Sequence, residues 1–133
     1  MIKSLRAADT LSGVVNLPGD KSISHRYAML AAISEGTSVF SGFASSRDCH
    51  STLDCLRALG VEVSVSGDTV AIQGRGLRGL KKPHQVLDAG NSGTTIRLLS
   101  GILAGHPFET AITGDSSLSG RPMGRIIRPL QQM

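Results

Sequence analysis

The chain repeats its own pattern. Gly19 and Gly90 lie 71 positions apart, Arg26 and Arg97 lie 71 apart, and Gly42 and Gly114 lie 72 apart. A recurrence of that kind is one supersecondary unit used more than once. Single glycine matches mean little in a chain with 16 glycines. Matched arginines within a matched order of elements mean more.

That order can be read from periodicity and punctuation. Residues 11–17 alternate loosely and include Val14 and Val15, which predicts a strand. Residues 22–33 predict a helix that Gly36 closes, and residues 37–40 a second strand. Ser45, Ser46 and Asp48 open another helix, acidic in its first turn as the helix dipole favours. Cys49, Thr52, Leu53, Leu56 and Leu59 follow at helical spacing, with Gly60 as the stop. Val61, Val63 and Val65 then alternate with polar residues. Gly67 and Asp68 turn the chain, and residues 69–73 return as a β-hairpin. The unit is β-α-β-α-β-β.

The second copy begins with a short strand at Val86, Leu87 and Asp88, followed by a glycine-rich break over residues 89–95. Ile96, Leu98, Leu99, Ile102 and Leu103 predict a helix ended by Gly105, and residues 109–113 a strand. A second break at Gly114, Asp115, Ser116 and Ser117 leads to a helix from Pro122 that carries Ile126, Ile127, Leu130 and Met133. No hairpin follows. The expectation is an α/β chain of repeated β-α-β-α-β-β units, cut short within the second. Unit one covers about residues 17–80 and unit two about 84–133.

Composition narrows the function. Aromatics are 3% of the chain and Trp is absent, so the core rests on Leu, Ile, Val and Ala. Scarce aromatics weaken any case for single-stranded nucleic acid, which needs stacking platforms. The net charge of +4 suits anionic partners, although Arg75, Arg78, Lys81 and Lys82 sit among glycines and read as a solvated connection. Cys49 and Cys55 are too few for a disulfide framework, and no His pattern completes a metal site. Reduced, buried thiols are expected, with neither metal nor cofactor. The start, from Met1 to Leu5, lacks the apolar run of a signal peptide, and no window reaches the length of a membrane span. These features predict a soluble, cytoplasmic protein without nucleic-acid or membrane partners.

Three strand-to-helix breaks concentrate hydroxyls, glycines and cations: residues 19–26, 90–97 and 114–121. The first helical N–H groups after such a break have no intrahelical partner and favour an anion. Lys21 stands beside the first opening, and Ser22 and Arg26 share a helix face one turn apart. Together they suit a carboxylate or phosphate. The plain alternative is a helix cap and a solvated lysine. A Walker loop is excluded, because Asp20 separates Gly19 from Lys21. In the second break Asn91, Ser92 and Thr94 offer donors, and Gly93 lets a ligand approach the backbone. Gly90 and Gly93 also read as a tight turn, and Arg97 as a surface helix residue. Arg121 precedes Pro122 and is expected at a helix start, where a cation opposes the dipole unless an anion intervenes.

In wording and order these breaks resemble a known family. Leu17-Pro18-Gly19-Asp20-Lys21-Ser22-Ile23-Ser24-His25-Arg26 is similar to the N-terminal signature of the 3-phosphoshikimate 1-carboxyvinyltransferases, or EPSP synthases. Asp88-Ala89-Gly90-Asn91-Ser92-Gly93-Thr94-Thr95-Ile96-Arg97 resembles their second signature, and Gly114-Asp115-Ser116 through Arg121-Pro122-Met123-Gly124 their third. The resemblance spans essentially the whole chain and about the first third of a typical member.

It implies two globular domains of three such units each, with residues 1–16 in the second domain and 17–133 in a partial shikimate 3-phosphate domain. It implies transfer of the enolpyruvyl group of phosphoenolpyruvate to the 5-hydroxyl of shikimate 3-phosphate, with phosphate released, in chorismate and aromatic amino acid biosynthesis. Ser22 and Arg26 would hold shikimate 3-phosphate, Lys21 would touch both substrates and act in catalysis, and Gly93 and Arg121 would face phosphoenolpyruvate. Asn91 and Arg97 would line the same site. The family's inhibitor glyphosate would occupy the phosphoenolpyruvate place. The acidic catalytic residues lie later in the family's chain, so the 133 residues alone are expected to be inactive until the remainder of the chain completes the cleft. Two alternatives stand beside this reading: the sister UDP-N-acetylglucosamine enolpyruvyl transferases, whose loop cysteine has no counterpart in residues 114–121, and a non-catalytic binding fragment.

Overall fold

The structure, a computed structural model, describes residues 3–4 and 6–133. Helix α1, Lys21–Ile33, starts where Pro18 and Gly19 break the chain and Asp20 caps it, its carboxylate accepting the Ile23 N–H at 2.7 Å. One face buries Ser24, His25, Ala28, Met29, Ala31 and Ala32, mostly small side chains that let neighbouring elements come close. Strand β1, Thr37–Phe40, follows. Helix α2, Arg47–Ala58, is capped by Ser46, with Asp48 in its first turn and Arg57 in its last, as the dipole favours. Gly60, at φ +85°, takes the left-handed conformation that ends it. Strands β2, Glu62–Ser66, and β3, Thr69–Gln73, form the expected hairpin.

The three strands make an antiparallel sheet in the order β1-β3-β2, with Thr37 opposite Gln73 and Glu62 also opposite Gln73. The second unit supplies strand β4, Leu87–Asp88, helix α3, Gly93–Leu103, strand β5, Ile112–Thr113, and helices α4, Ser116–Ser119, and α5, Gly124–Gln132. Strands β4 and β5 pair in parallel, with Leu87 opposite Ile112. Helices α1, α2 and α3 pack against one another, so a single core joins both units: Leu53, Leu56, Leu59 and Ile72 from the first, Leu87 and Leu99 from the second.

The repeat anchors meet in space. A β-carbon built on Gly19 would lie 1.7 Å from the Gly42 carbonyl oxygen. In the second unit, one on Gly114 would lie 2.5 Å from the Gly90 carbonyl oxygen. The residues that recur in sequence are thus those where the break before a helix crosses the end of the following strand.

Three expectations need correction. Residues 11–17 form no strand; Leu11, Val14, Val15 and Leu17 are all exposed. A strand needs a ladder partner, and β1 is paired on one edge only, with β3. The corresponding strand of unit two, β4, has its partner in β5. The strand expected over residues 109–113 shrinks to Ile112–Thr113, because its ladder with β4 is two residues long. The helix expected from Pro122 starts at Gly124, and the short α4 occupies part of the preceding break.

Candidate functional site

Lys21 is the first residue of α1 and pairs with the Asp48 carboxylate in the first turn of α2. Ser22 and Arg26 are exposed on the outer face of α1, where Arg26 Nη1 donates to the Ser22 carbonyl at 3.1 Å. That bond is the one-turn relation expected from their spacing. Asp20 is the cap, so the opening turn of α1 is already partly satisfied.

The second group is tighter. Arg121 Nη2 donates to Asn91 Oδ1 at 2.6 Å, and Asn91 Nδ2 donates to Asp115 Oδ2 at 2.6 Å. Asn91 is therefore held with its amide oxygen toward the cation and its nitrogen toward the carboxylate. The hydrogen bond from Asn91, then that from the Leu118 N–H, hold the Asp115 carboxyl below its ordinary range; Arg121 and the Ser117 N–H act in the same direction, and burial opposes them.

Gly93 opens α3 beside this group. A β-carbon there would stand 3.2 Å from Arg121 Nη1 and 3.7 Å from the guanidinium carbon of Arg97. Its backbone is not left-handed; what calls for glycine is room for two guanidiniums. Gly90, at φ +57°, is the residue that serves the turn. Arg97 is half-buried, and its Nε is buried without a partner. A surface helix arginine has no such orphaned donor.

Arg121 differs from the expectation in setting. It follows α4, its N–H donating to the Leu118 carbonyl at 3.0 Å, and α5 is capped at Met123. Arg121 thus stands beyond the end of α4 and ahead of the start of α5, and its guanidinium is anchored by Asn91.

Helix α2 lies between the two groups. Asp48 reaches Lys21, and the Ser51 hydroxyl lies 2.9 Å from the place of a Gly90 β-carbon. Thr52 joins buried polar side chains of α1 and α3. Neither Asp48 nor Asp115 stands out in the sequence as a partner of the site, because an Asp at a helix start satisfies the cap and dipole rules whether or not a cation stands opposite. Cys49 and Cys55 are free and buried, and burial pushes the Cys55 thiol up to about 12. Among the described residues, no group of three or more His, Cys, Asp or Glu is placed to hold a metal ion, and no helix is long and apolar enough to cross a membrane.

Two guanidiniums gathered beside Gly93, on repeated α/β units, make a place suited to a carboxylate or phosphate. Comparison with known proteins makes this specific. Residues 5–133 match the family described as EPSP synthase (3-phosphoshikimate 1-carboxyvinyltransferase). The chain is 56% identical over 133 residues to the 3-phosphoshikimate 1-carboxyvinyltransferase of Solibacter usitatus, covering 100% of this chain and 31% of the relative. It is 51% identical to that of Herpetosiphon aurantiacus, with the same coverage. The solved EPSP synthase of Acinetobacter baumannii superposes with a TM-score of 0.86 at 48% identity, over 91% of this chain and 27% of that one. The chain belongs to the EPSP synthase family, and it spans about a third of the length of these relatives.

Proposed function

We propose that this chain supplies part of the substrate site of a 3-phosphoshikimate 1-carboxyvinyltransferase. The observation that carries the proposal is the meeting of Gly93, Arg97, Arg121 and Asn91: two guanidiniums over a residue with no side chain. Phosphoenolpyruvate, small and carrying a carboxylate and a phosphate, fits such a place. Arg121 and Gly93 face it, Arg97 brings its guanidinium to that side with Nη1 3.7 Å from the place of a Gly93 β-carbon, and Asn91 fixes the Arg121 fork. Ser22 and Arg26 hold shikimate 3-phosphate. Lys21, oriented by Asp48, reaches both substrates and stabilises charge as the enolpyruvyl group moves to the 5-hydroxyl and phosphate leaves. Glyphosate competes at the phosphoenolpyruvate place. Residues 1–16 belong with the second domain and residues 17–133 with the shikimate 3-phosphate domain. The protein works in the cytoplasm, in chorismate biosynthesis, and the acid and base come from polypeptide outside these residues.

The test is a chimaera in which residues 5–133 replace the matching segment of the Solibacter usitatus relative, assayed for phosphate release from both substrates. Turnover by the chimaera, its loss on Arg121→Ala, and none by the 133-residue chain alone are the expected results. A folded chimaera without turnover refutes the assignment. Turnover by the short chain alone refutes the claim that the acid and base lie elsewhere.

A further inference from the structure

Four side chains that the proposed reaction does not use form a continuous line through the protein interior. His25 of α1, Thr52 of α2, and Ser92 and Thr95 at the start of α3 are each 0% exposed. His25 Nδ1 lies 2.6 Å from Thr52 Oγ1, which lies 2.7 Å from Thr95 Oγ1, which lies 2.7 Å from Ser92 Oγ. Ser92 is also the cap of α3, accepting the Thr95 N–H at 3.1 Å. Among buried apolar side chains, such a line is costly wherever a member lacks its partner.

The direction of the line follows from counting protons. A threonine hydroxyl has one hydrogen to give. Thr95 donates its hydrogen to Ser92 Oγ, so the bond between the threonines is donated by Thr52. Thr52 then has no hydrogen left for His25, and the imidazole must donate from Nδ1. His25 Nε2, buried and without a partner, carries the lone pair.

We infer that His25, Thr52, Thr95 and Ser92 form a one-directional hydrogen-bond relay, which fixes the proton of His25 on Nδ1 and ties the first two turns of α1 and α3 together through α2. These turns carry Lys21 and Ser22 on one side and Gly93 on the other, with Arg26 and Arg97 one turn further on. The relay residues are positioning residues: they touch no ligand, and they set the spacing between the two cationic groups. Burial, Lys21 and Arg26 disfavour a second proton on the ring, and Asp48 opposes them. For its effect on substrates the inference rests on the proposed function; for its proton positions it stands on geometry alone.

The test separates the two. Nitrogen-15 spectra of the imidazoles in the 133-residue chain are expected to show His25 with a protonated Nδ1 and a bare Nε2. Thr52→Val, close to the same volume, removes the acceptor and shifts the proton toward Nε2, whereas Thr52→Ser keeps it on Nδ1. In the chimaera, Thr52→Val raises the Michaelis constants for both substrates together by roughly three- to tenfold, short of the hundredfold that a 1 Å misplacement costs, and Thr52→Ser restores them. A His25 proton on Nε2 in the unsubstituted chain overturns the relay, as does a Val variant whose tautomer matches the Ser variant. If the Val variant does not fold, the unsubstituted spectrum decides. Absence of turnover in the unsubstituted chimaera refutes the proposed function and leaves the relay to be judged by the tautomer.

Discussion

Gly93 and Arg121 leave no spare room between them: a β-carbon on Gly93 would stand 3.2 Å from Arg121 Nη1. The obstacle is the end of a flexible side chain, so Gly93→Ala displaces the guanidinium by a few tenths of an ångström and does not unfold α3. The bond to Asn91, now 2.6 Å, is the one placed to suffer. In the chimaera, Gly93→Ala is expected to raise the Michaelis constant for phosphoenolpyruvate about fivefold, the worth of one hydrogen bond of about 1 kcal/mol. Glyphosate inhibition of the chimaera is expected to be relieved, and the constant for shikimate 3-phosphate to stay as it was. Equal inhibition of both forms would remove Gly93 from the site.

Asn91 is the middle of a three-residue bridge, and its removal is expected to register on Asp115. The Asn91 hydrogen bond is the first cause of the lowered Asp115 carboxyl. Asn91→Ala is expected to move that carboxyl upward, toward the ordinary value of 3.8. Carboxyl carbon shifts followed against pH read this directly. An unmoved titration would mean that the Leu118 N–H and Arg121 suffice to hold the carboxylate.

Arg26 is expected to act through shape as well as charge. Its Nη1 rests on the Ser22 carbonyl, leaving the rest of the guanidinium fork free on an exposed face. A lysine keeps the charge and loses the paired donors. Calorimetry on the chimaera is expected to show Arg26→Lys binding shikimate 3-phosphate about tenfold more weakly, the cost of one charge-assisted hydrogen bond. An unchanged dissociation constant would exclude Arg26 from that role.

What the sequence made legible was local. Helices α1, α2 and α3 and the β2–β3 hairpin follow from spacing, caps and closing glycines, each a signal within a few residues. The residues 11–17 misled because alternation records a capacity to pair, while a strand exists only where the ladder is made, and these residues do not pair with the open edge of β1. The same limit applies to the site. Lys21, Ser22, Arg26, Gly93 and Arg121 stand in three motifs that the sequence displays. The partner of Lys21, Asp48, comes from another helix, Asp115 reaches Asn91 from a different break, and Thr52 read as one more core position on α2. Contacts between residues 24 to 43 positions apart leave no mark in periodicity.

His25 ties stability to pH. Burial, then Lys21, with Arg26 adding and Asp48 opposing, holds its imidazole below the usual 6.5. The unfolded chain takes up a proton near 6.5 and the folded chain resists it until lower pH. Stability is therefore full above 6.5 and is lost as pH falls through the folded value. Urea unfolding of the 133-residue chain on both sides of 6.5 is expected to show this decline, and His25→Gln to flatten it in that window. A decline that begins only in the carboxylate range, in both forms, would dissociate His25 from it.

The repeat makes its own prediction, through the glycines at which backbone crosses backbone. A β-carbon on Gly19 would fall 1.7 Å from the Gly42 carbonyl oxygen and 3.1 Å from the Ala44 nitrogen. Both are backbone, and neither can swing aside as a side chain does. Relief requires the opening of α1 to lift from the end of β1, which also strains the bond from the Ala44 N–H to the buried Ser24 hydroxyl, now 3.0 Å. Gly42 presents the opposite case: φ is +68° and nothing lies within 4 Å of an added β-carbon. Its substitution costs only the left-handed backbone, about 1–2 kcal/mol. Gly19→Ala is expected to cost about 3 kcal/mol or more, as overpacking against an unyielding neighbour does. Urea unfolding of the two variants should rank Gly19→Ala well below Gly42→Ala. The reverse ranking would mean that the crossing of Gly19 over Gly42 does not hold the unit together.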